Sequence, residues 1–279
     1  MNDTPAPALP SASILLLRDA PGGLEVFMVV RHAKIEFAAG ASVFPGGRVT
    51  ASDRGADLRA RCDGEAALGD EALAFRAAAI RECFEECGVL LARTQDGAMI
   101  AGEALEGALD GARPALEREE LSLAELLAAH GLRLAGDALV PFGHWITPAF
   151  APKRFETWFY LAAAPPGIEP RHDGSEAVDS LWISPEQALA EADTGGRSLV
   201  LATRANLMRL AESENVAAAL DAAGKRAIVA VQPWMEERPE GKIICFGSEA
   251  GYALTELPAE VARGGPWPDR RPRAPTDRG

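Results

Sequence analysis

Hydrophobic and polar positions along the chain change period several times. Ile14 to Arg18 and Leu24 to Arg31 are apolar runs separated by Pro21, Gly22 and Gly23, the pattern of two strands joined by a turn. Phe37 to Gly47, FAAGASVFPGG, carries three glycines and a proline and predicts an irregular segment. From Ala66 to Leu91 the chain turns to Ala, Glu, Leu and Arg with helical periodicity, and Gly88 acts as a stop. Gly102 to Gly136 reads as further helix, clearest over Leu121 to His130. Ala138 to Thr147 and Phe155 to Ala162 gather Trp, Phe, Tyr, Ile and Thr and predict strands, followed by a short strand over Leu181 to Ile183. Ser184, Pro185 and Glu186 form an N-cap, a first-turn proline and an acidic first turn, opening a helix to about Ala192. One more helix is expected over Arg204 to Ala223 and a late strand over Ile243 to Phe246. Residues 1–10 read as a flexible tail, 11–250 as one domain without repeats or an internal linker, and 251–279 as a second tail.

The 279 residues are 48% hydrophobic and 25% charged, the balance of a globular protein with a real core. Lys and Arg number 28 against 41 Asp and Glu, a net charge of −13, which argues against nucleic-acid polymers or an anionic membrane as partners. A small anion is still compatible if local cations reverse the sign. The four cysteines, Cys62, Cys83, Cys87 and Cys245, are too few and irregular for a disulfide framework and fit a reducing compartment. No run approaches the ~18 apolar residues that span a bilayer. The amino-terminal residues lack a signal-peptide pattern and the final Asp277, Arg278 and Gly279 lack a peroxisomal one, so the expected location is the cytoplasm.

The most informative stretch is Arg81 to Val89, RECFEECGV. At ~100° per residue Glu82, Glu85 and Glu86 fall within an arc of about 100°, opposite Ile80, Cys83, Phe84 and Cys87. Glu82 and Glu86 are like charges at i,i+4, costing ~0.2–0.5 kcal/mol. All three lie near the helix C-terminus, where the dipole repels anions. Arg81 offsets part of this repulsion, and a hard divalent cation such as Mg²⁺ or Mn²⁺ would remove it. A lone acidic pair is normally a solvated face; a triple cluster, at the disfavoured helix end and after a Gly-Gly loop, is not. Cys83 and Cys87 suit a core face better than zinc, and the four histidines are dispersed. Neither a serine nucleophile elbow nor a Walker loop is present.

Arg81, Glu82, Cys83, Glu85, Glu86, Gly88 and Val89 resemble the REUxEExGU half of the Nudix box, Gx5Ex7REUxEExGU. Gly47 matches its opening glycine, and Asp53 stands where the family usually has Glu. The 27 residues Arg54 to Ile80 replace the usual seven, so an insertion of about twenty residues interrupts the box. Such a box preceded by FPGG resembles the acyl-coenzyme A diphosphatase branch, as do WITP (Trp145 to Pro148), KRFET (Lys153 to Thr157) and LWISPEQAL (Leu181 to Leu189). The coenzyme A signature fits in part: Arg31, Gly40 and Phe44 to Gly47 match, whereas Glu36 replaces an Arg and His32 a small residue.

The resemblance implies a Nudix α/β/α sandwich of the α/β class, with a mixed sheet, inserted helical segments at 54–80 and 101–137, and a helical C-terminal extension. It implies hydrolysis of a nucleoside-diphosphate-linked small molecule with Mg²⁺ or Mn²⁺. Coenzyme A or an acyl derivative leads; ADP-ribose, a dinucleotide such as NADH, or a nucleotide sugar is the alternative. Intact box glutamates argue against a binding module that has lost catalysis. Glu82 and Glu86 are the expected metal ligands, with Glu85 sharing a metal or binding through water and the Gly46 carbonyl adding a ligand. Arg81 belongs to the catalytic set, and Glu85 or Glu176 is the expected general base. Lys153 and Arg154, with Arg31 and Lys34, are candidate phosphate contacts beside Gly47; Phe37 and Trp145 could stack on a base, although core packing suits Trp145 better. The inserted helices leave a homodimer open.

Overall fold

The computed structural model describes residues 5–32, 38–100, 109, 111–172, 174 and 177–266. Strand β1 (Ala8–Ala20) is the spine of the fold. It is antiparallel to β2 (Gly23–Arg31), through the predicted turn, with Leu17 opposite Val26. Short strands β3 (Ser42–Val43) and β4 (Gly46–Arg48) follow, and β4 pairs with the first part of β1, Ala12 opposite Gly47. After a short helix α1 (Ala56–Arg59) comes α2 (Asp70–Cys87), which ends at Gly88 in the left-handed conformation with φ of 75°. A small ribbon, β5 (Ala92–Arg93) with β6 (Arg133–Leu134), brackets helices α3 (Arg113–Glu117) and α4 (Leu123–Ala129). Strands β7 (Val140–Ile146), β8 (Arg154–Ala163) and β9 (Ala177–Ile183) complete most of the main sheet. β8 runs parallel to β1 over ten residue pairs, Ala8 opposite Arg154 to Leu17 opposite Ala163.

Beyond lie α5 (Pro185–Asp193), α6 (Leu201–Leu210), α7 (Val216–Gly224) and β10 (Ala230–Val231), the last pairing with β7. A three-stranded antiparallel sheet follows, of β11 (Trp234–Arg238), β12 (Gly241–Cys245) and β13 (Glu256–Pro258), with α8 (Ala259–Ala262) after it. The main sheet has order β10-β7-β8-β1-β2-β3, with β4 added on β1 and β9 on β2.

Alternation along β1 divides the interior. Ala12, Ile14 and Leu16 join a core with α2, while Leu15 and Leu17 join a second core with α5 to α7 and the small sheet. The mixed sheet thus lies between two helical layers, as expected. Ser184 caps α5 by accepting from the Gln187 amide at 3.2 Å, the predicted cap.

Several boundaries differ from expectation. The 1–10 tail is shorter, because Ala8 to Pro10 are already paired with β8. The single helix over Arg204 to Ala223 is two, because Asn215 caps a new start by accepting from the Ala218 amide at 2.9 Å. The described part of the 101–137 insertion is helical but closes with β6, and the C-terminal extension is a pair of helices plus a sheet. The 251–279 tail is structured through residue 266: Tyr252, Leu257 and Val261 are buried against the second core. Tyr252 Oη accepts from Trp145 Nε1 at 2.8 Å and donates to Asn206 Oδ1 at 2.8 Å, tying the extension to β7 and α6.

Tyr252→Phe strands a buried donor and a buried acceptor. It is expected to lower the unfolding free energy by ~1–3 kcal/mol, read from the midpoint of urea denaturation at constant m-value; no shift would mean the network does not hold the extension.

Candidate active site

α2 forms because Asp70 and Glu71 suit a helix N-terminus and Ala, Leu, Glu and Arg fill its body. Leu73, Ala77, Ile80, Phe84 and Cys87 bury one face beneath β1. The helix projects Arg81, Glu82, Glu85 and Glu86 toward β4 and the loop after it.

Arg81 is 6% exposed and is the hub. Its Nε and Nη2 donate to the two oxygens of Asp53, each at 3.0 Å, a bidentate pair across 28 residues of sequence. Nη2 also donates to the Arg48 carbonyl at 2.8 Å, and Nη1 to Glu82 Oε1 at 2.9 Å and Glu85 Oε2 at 3.0 Å. Asp53 is fully buried, and its Oδ2 accepts the Thr50 amide at 2.8 Å and the Thr50 hydroxyl at 3.1 Å. Burial alone would lower the Arg81 pKa, and the carboxylates of Asp53, Glu82 and Glu85 more than reverse that. Asp53 and Arg81 therefore meet across the insertion, whose residues lie between the two ends of this ion pair.

The FPGG segment seals the other side. Ser13 Oγ donates to the Pro45 carbonyl at 2.9 Å and the Gly46 amide donates to Glu86 Oε2 at 3.0 Å. A Cβ on Gly46 would collide with the backbone of Ala12 and Ser13, and one on Gly47 would lie 2.5 Å from the Glu82 carboxylate carbon. Gly46 thus permits the close approach of β4 to β1, and Gly47 leaves room for the Glu82 carboxylate of the helix.

Burial raises the Glu85 carboxyl to about 7, with Arg81 opposing and Glu82 adding to the rise. Burial also pushes Glu86 well above the ordinary range, Glu82 adding to it and the Gly46 amide and Arg31 opposing. Among the described residues Glu85 Oε1 is buried with no hydrogen-bond partner. Three carboxylates with an orphaned oxygen have the chemistry that a hard divalent cation prefers. Among the described residues no three His, Cys, Asp or Glu side chains already converge as a cage. Glu82 and Glu85 are drawn to Arg81 and Glu86 to Gly46, so a cation would be gathered by side-chain rotation.

The cluster opens on a cavity of about 1360 Å³, whose walls include Gly46, Gly47, Glu82, Glu85, Arg31 and Lys153. Arg31 and Lys153 are thus brought to the site, and the Arg31 Nε is buried without a hydrogen-bond partner among the described residues. Arg154 is not brought to it: its Nε donates to the Thr147 carbonyl at 3.0 Å and its Nη1 to the Ala6 carbonyl at 2.7 Å, stapling the β7–β8 connection to the start of the chain. Trp145 is a core residue, 4% exposed and packed on Phe246 and Tyr252. The Cys83 and Cys87 sulfurs are buried 3.5 Å apart in the core. Lys34, Phe37 and Glu176 lie outside the described residues. Sequence reasoning missed Arg113 of α3, which donates from Nε and Nη2 to the Glu85 carbonyl at 3.2 and 2.9 Å. The one available signal was an acidic helix end with no basic residue of its own.

Known proteins resemble this chain in sequence and in fold. The family described as the NUDT19 Nudix domain matches residues 59–196. Putative nudix hydrolase 7 of Caenorhabditis elegans is 32% identical over 176 residues, 62% of this chain and 51% of that protein. Acyl-coenzyme A diphosphatase NUDT19 of Gallus gallus is 29% identical over 244 residues, 64% of this chain and 61% of that one. The chain therefore spans between half and about three fifths of these curated relatives. A crystal structure of a NUDIX hydrolase from Alicyclobacillus acidocaldarius superimposes with a TM-score of 0.68 at 27% identity, covering 77% of this chain and 96% of that one. In sequence over residues 59–196 and in fold over most of its length, the chain is similar to Nudix hydrolases, and to the NUDT19 domain among them.

The raised carboxyls make a pH prediction. Glu85 binds its proton more tightly in the fold, with a pKa of about 7, than in the unfolded chain at 4.5. Its contribution to stability is fully present below the unfolded value and is lost as pH rises through the folded one. The Tm of protein treated with chelator should fall by several degrees from about pH 5 to about pH 8, and Glu85→Gln should flatten that fall. Equal slopes for the two proteins would show that Glu85 is not held protonated by its site.

Proposed function

We propose that this protein hydrolyses the diphosphate bond of coenzyme A or an acyl-coenzyme A, with Mg²⁺ or Mn²⁺. The observation that carries the reading is the Arg81–Asp53 pair, which spans the insertion while Arg81 also bonds Glu82 and Glu85 and the Gly46 amide holds Glu86, at the edge of a large cavity. The names of the relatives and the partial coenzyme A pattern of Arg31, Gly40 and Phe44 to Gly47 support the substrate.

Glu82 and Glu86 would hold the cation with Glu85 and the Gly46 carbonyl; when bound, it supplies charge neutralisation for the diphosphate and an acidified water. Arg81 sets the direction of Glu82 and Glu85 through Nη1. Glu85 Oε1, free of other bonds in the described structure, is the position to which a proton from the attacking water would pass. Glu176 is the second candidate for that role. Arg31 and Lys153, both on the cavity wall, would meet the phosphate oxygens, and Lys34 follows Arg31 closely enough in sequence to assist. Gly47 lets the substrate and Glu82 approach the same strand. Coenzyme A would yield adenosine 3′,5′-bisphosphate and 4′-phosphopantetheine. Glu36 and His32 depart from the coenzyme A pattern and favour, as a second reading, an ADP-ribose, NADH or nucleotide-sugar diphosphatase.

Product analysis on coenzyme A, acyl-coenzyme A, NADH and ADP-ribose tests this, with turnover expected for the first two and abolished by chelator. Glu86→Gln should lose several orders of magnitude in kcat with an unchanged circular dichroism spectrum. No hydrolysis of any of the four compounds would overturn the enzymatic reading, and a near-normal rate for Glu86→Gln would remove its role as a ligand.

A further inference from the structure

The end of α2 poses an electrostatic problem that the helix does not solve itself. Its last turn contains no basic residue, while Glu82, Glu85 and Glu86 crowd the end where unsatisfied carbonyls already carry negative potential. The Gly88 amide takes the Phe84 carbonyl at 2.8 Å and the Arg171 amide takes the Cys87 carbonyl at 3.0 Å. The Glu85 carbonyl is taken by the Arg113 guanidinium, through Nε and Nη2 together. Arg113 is itself fixed from the far side, its Nη2 also donating to the Arg171 carbonyl at 3.3 Å. Leu116, one turn further along α3, is 3% exposed in the core shared with α2 and anchors the short helix that presents Arg113.

We infer that Arg113 is a positioning residue for the box glutamates: a cation from the second insertion, clamped on the peptide carbonyl of Glu85, that fixes the last turn of α2 and with it the Glu85 and Glu86 carboxylates. The inference rests on the function proposed above. The Arg113 guanidinium bonds peptide carbonyls, so it acts on the carboxylates through the backbone from which they branch. A ligand displaced by ~1 Å can cost on the order of 10²-fold in rate, so a clamp on this turn bears directly on how well the glutamates gather a cation. The fork of a guanidinium has the right shape for such a clamp, because two donors converge on one oxygen while a third contact holds the segment at Arg171. Since α3 also contributes Leu116 and Glu117 to the cavity wall, the clamp joins that wall to the carboxylate cluster.

The test compares wild type with Arg113→Met, Arg113→Gln and Arg113→Lys by three measurements: Mn²⁺ titration of the free protein by electron paramagnetic resonance, amide hydrogen exchange over residues 84–88 without metal, and kcat and KM for coenzyme A. For Arg113→Met the Mn²⁺ affinity and kcat should each fall by about 10- to 100-fold, the range for partners that orient metal ligands. KM should change little and exchange at the end of α2 should accelerate. Lysine should restore part of the loss, since it returns the charge without the two-pronged hold. If Arg113→Met does not fold, Arg113→Gln decides on the same measurements. A variant that melts earlier yet keeps wild-type Mn²⁺ affinity and kcat overturns the inference, leaving Arg113 as a stability cap. Wild type that neither binds Mn²⁺ nor hydrolyses coenzyme A overturns the functional reading and this inference together.

Discussion

A guanidinium buried beside carboxylates is stable only if its donors are matched, because isolated buried charge costs several kcal/mol. Arg81 meets that demand by bonding Asp53 at both oxygens, Glu82, Glu85 and the Arg48 carbonyl. Asp53 lies in a turn held by Thr50, and Arg81 lies past the middle of α2, so the pair joins the strand that carries FPGG to the helix that carries the glutamates. The directions of Glu82 and Glu85 depend on that closure. Among the described residues no other bidentate ion pair sets the spacing of the loop after β4 against the helix.

The same constraint explains how a long insertion can lie between Asp53 and Arg81. The chain between Asp53 and Arg81 is long, but lengthening a loop costs free energy only logarithmically once its ends are fixed. The inserted residues also bury Leu58 and Leu73 and reach the β5–β6 ribbon through Asp63, which accepts from Arg93 at 3.1 Å and Arg133 at 2.6 Å. They add a packed layer rather than a loose loop. At the other end of the molecule the C-terminal sheet covers the second face of the main sheet, and Tyr252 beside it bridges Trp145 and Asn206. The two faces of β1 are thus closed by segments that lie far apart in sequence.

Much of the site was legible before folding. The acidic arc of Glu82, Glu85 and Glu86 follows from a period of 3.6, and Arg31, Lys153, Gly46 and Gly47 do reach the same cavity. Arg154 was misassigned because a basic residue beside a lysine reads the same whether it faces solvent, substrate or a backbone carbonyl; the two carbonyls it binds belong to Thr147 and Ala6. The helix break at Asn215 was missed although its capping chemistry was present, since an alanine-rich stretch on either side carries the same propensity.

The sequence by itself determined the local elements, the box helix with its buried and acidic faces, the cap at Ser184 and the net charge that turns attention to a small anion rather than a polymer. These depend on periodicity and on neighbours within one or two turns. Only the tertiary structure decided that Asp53 holds Arg81 across the insertion, that Arg113 arrives at the acidic helix end from another segment, that Arg154 is turned to the backbone, and that residues 252–261 belong to the core. Apart from the bond between Arg154 and Thr147, these are contacts between groups separated by long stretches of chain, whose energy exists only after the sheet has brought both partners to the same place.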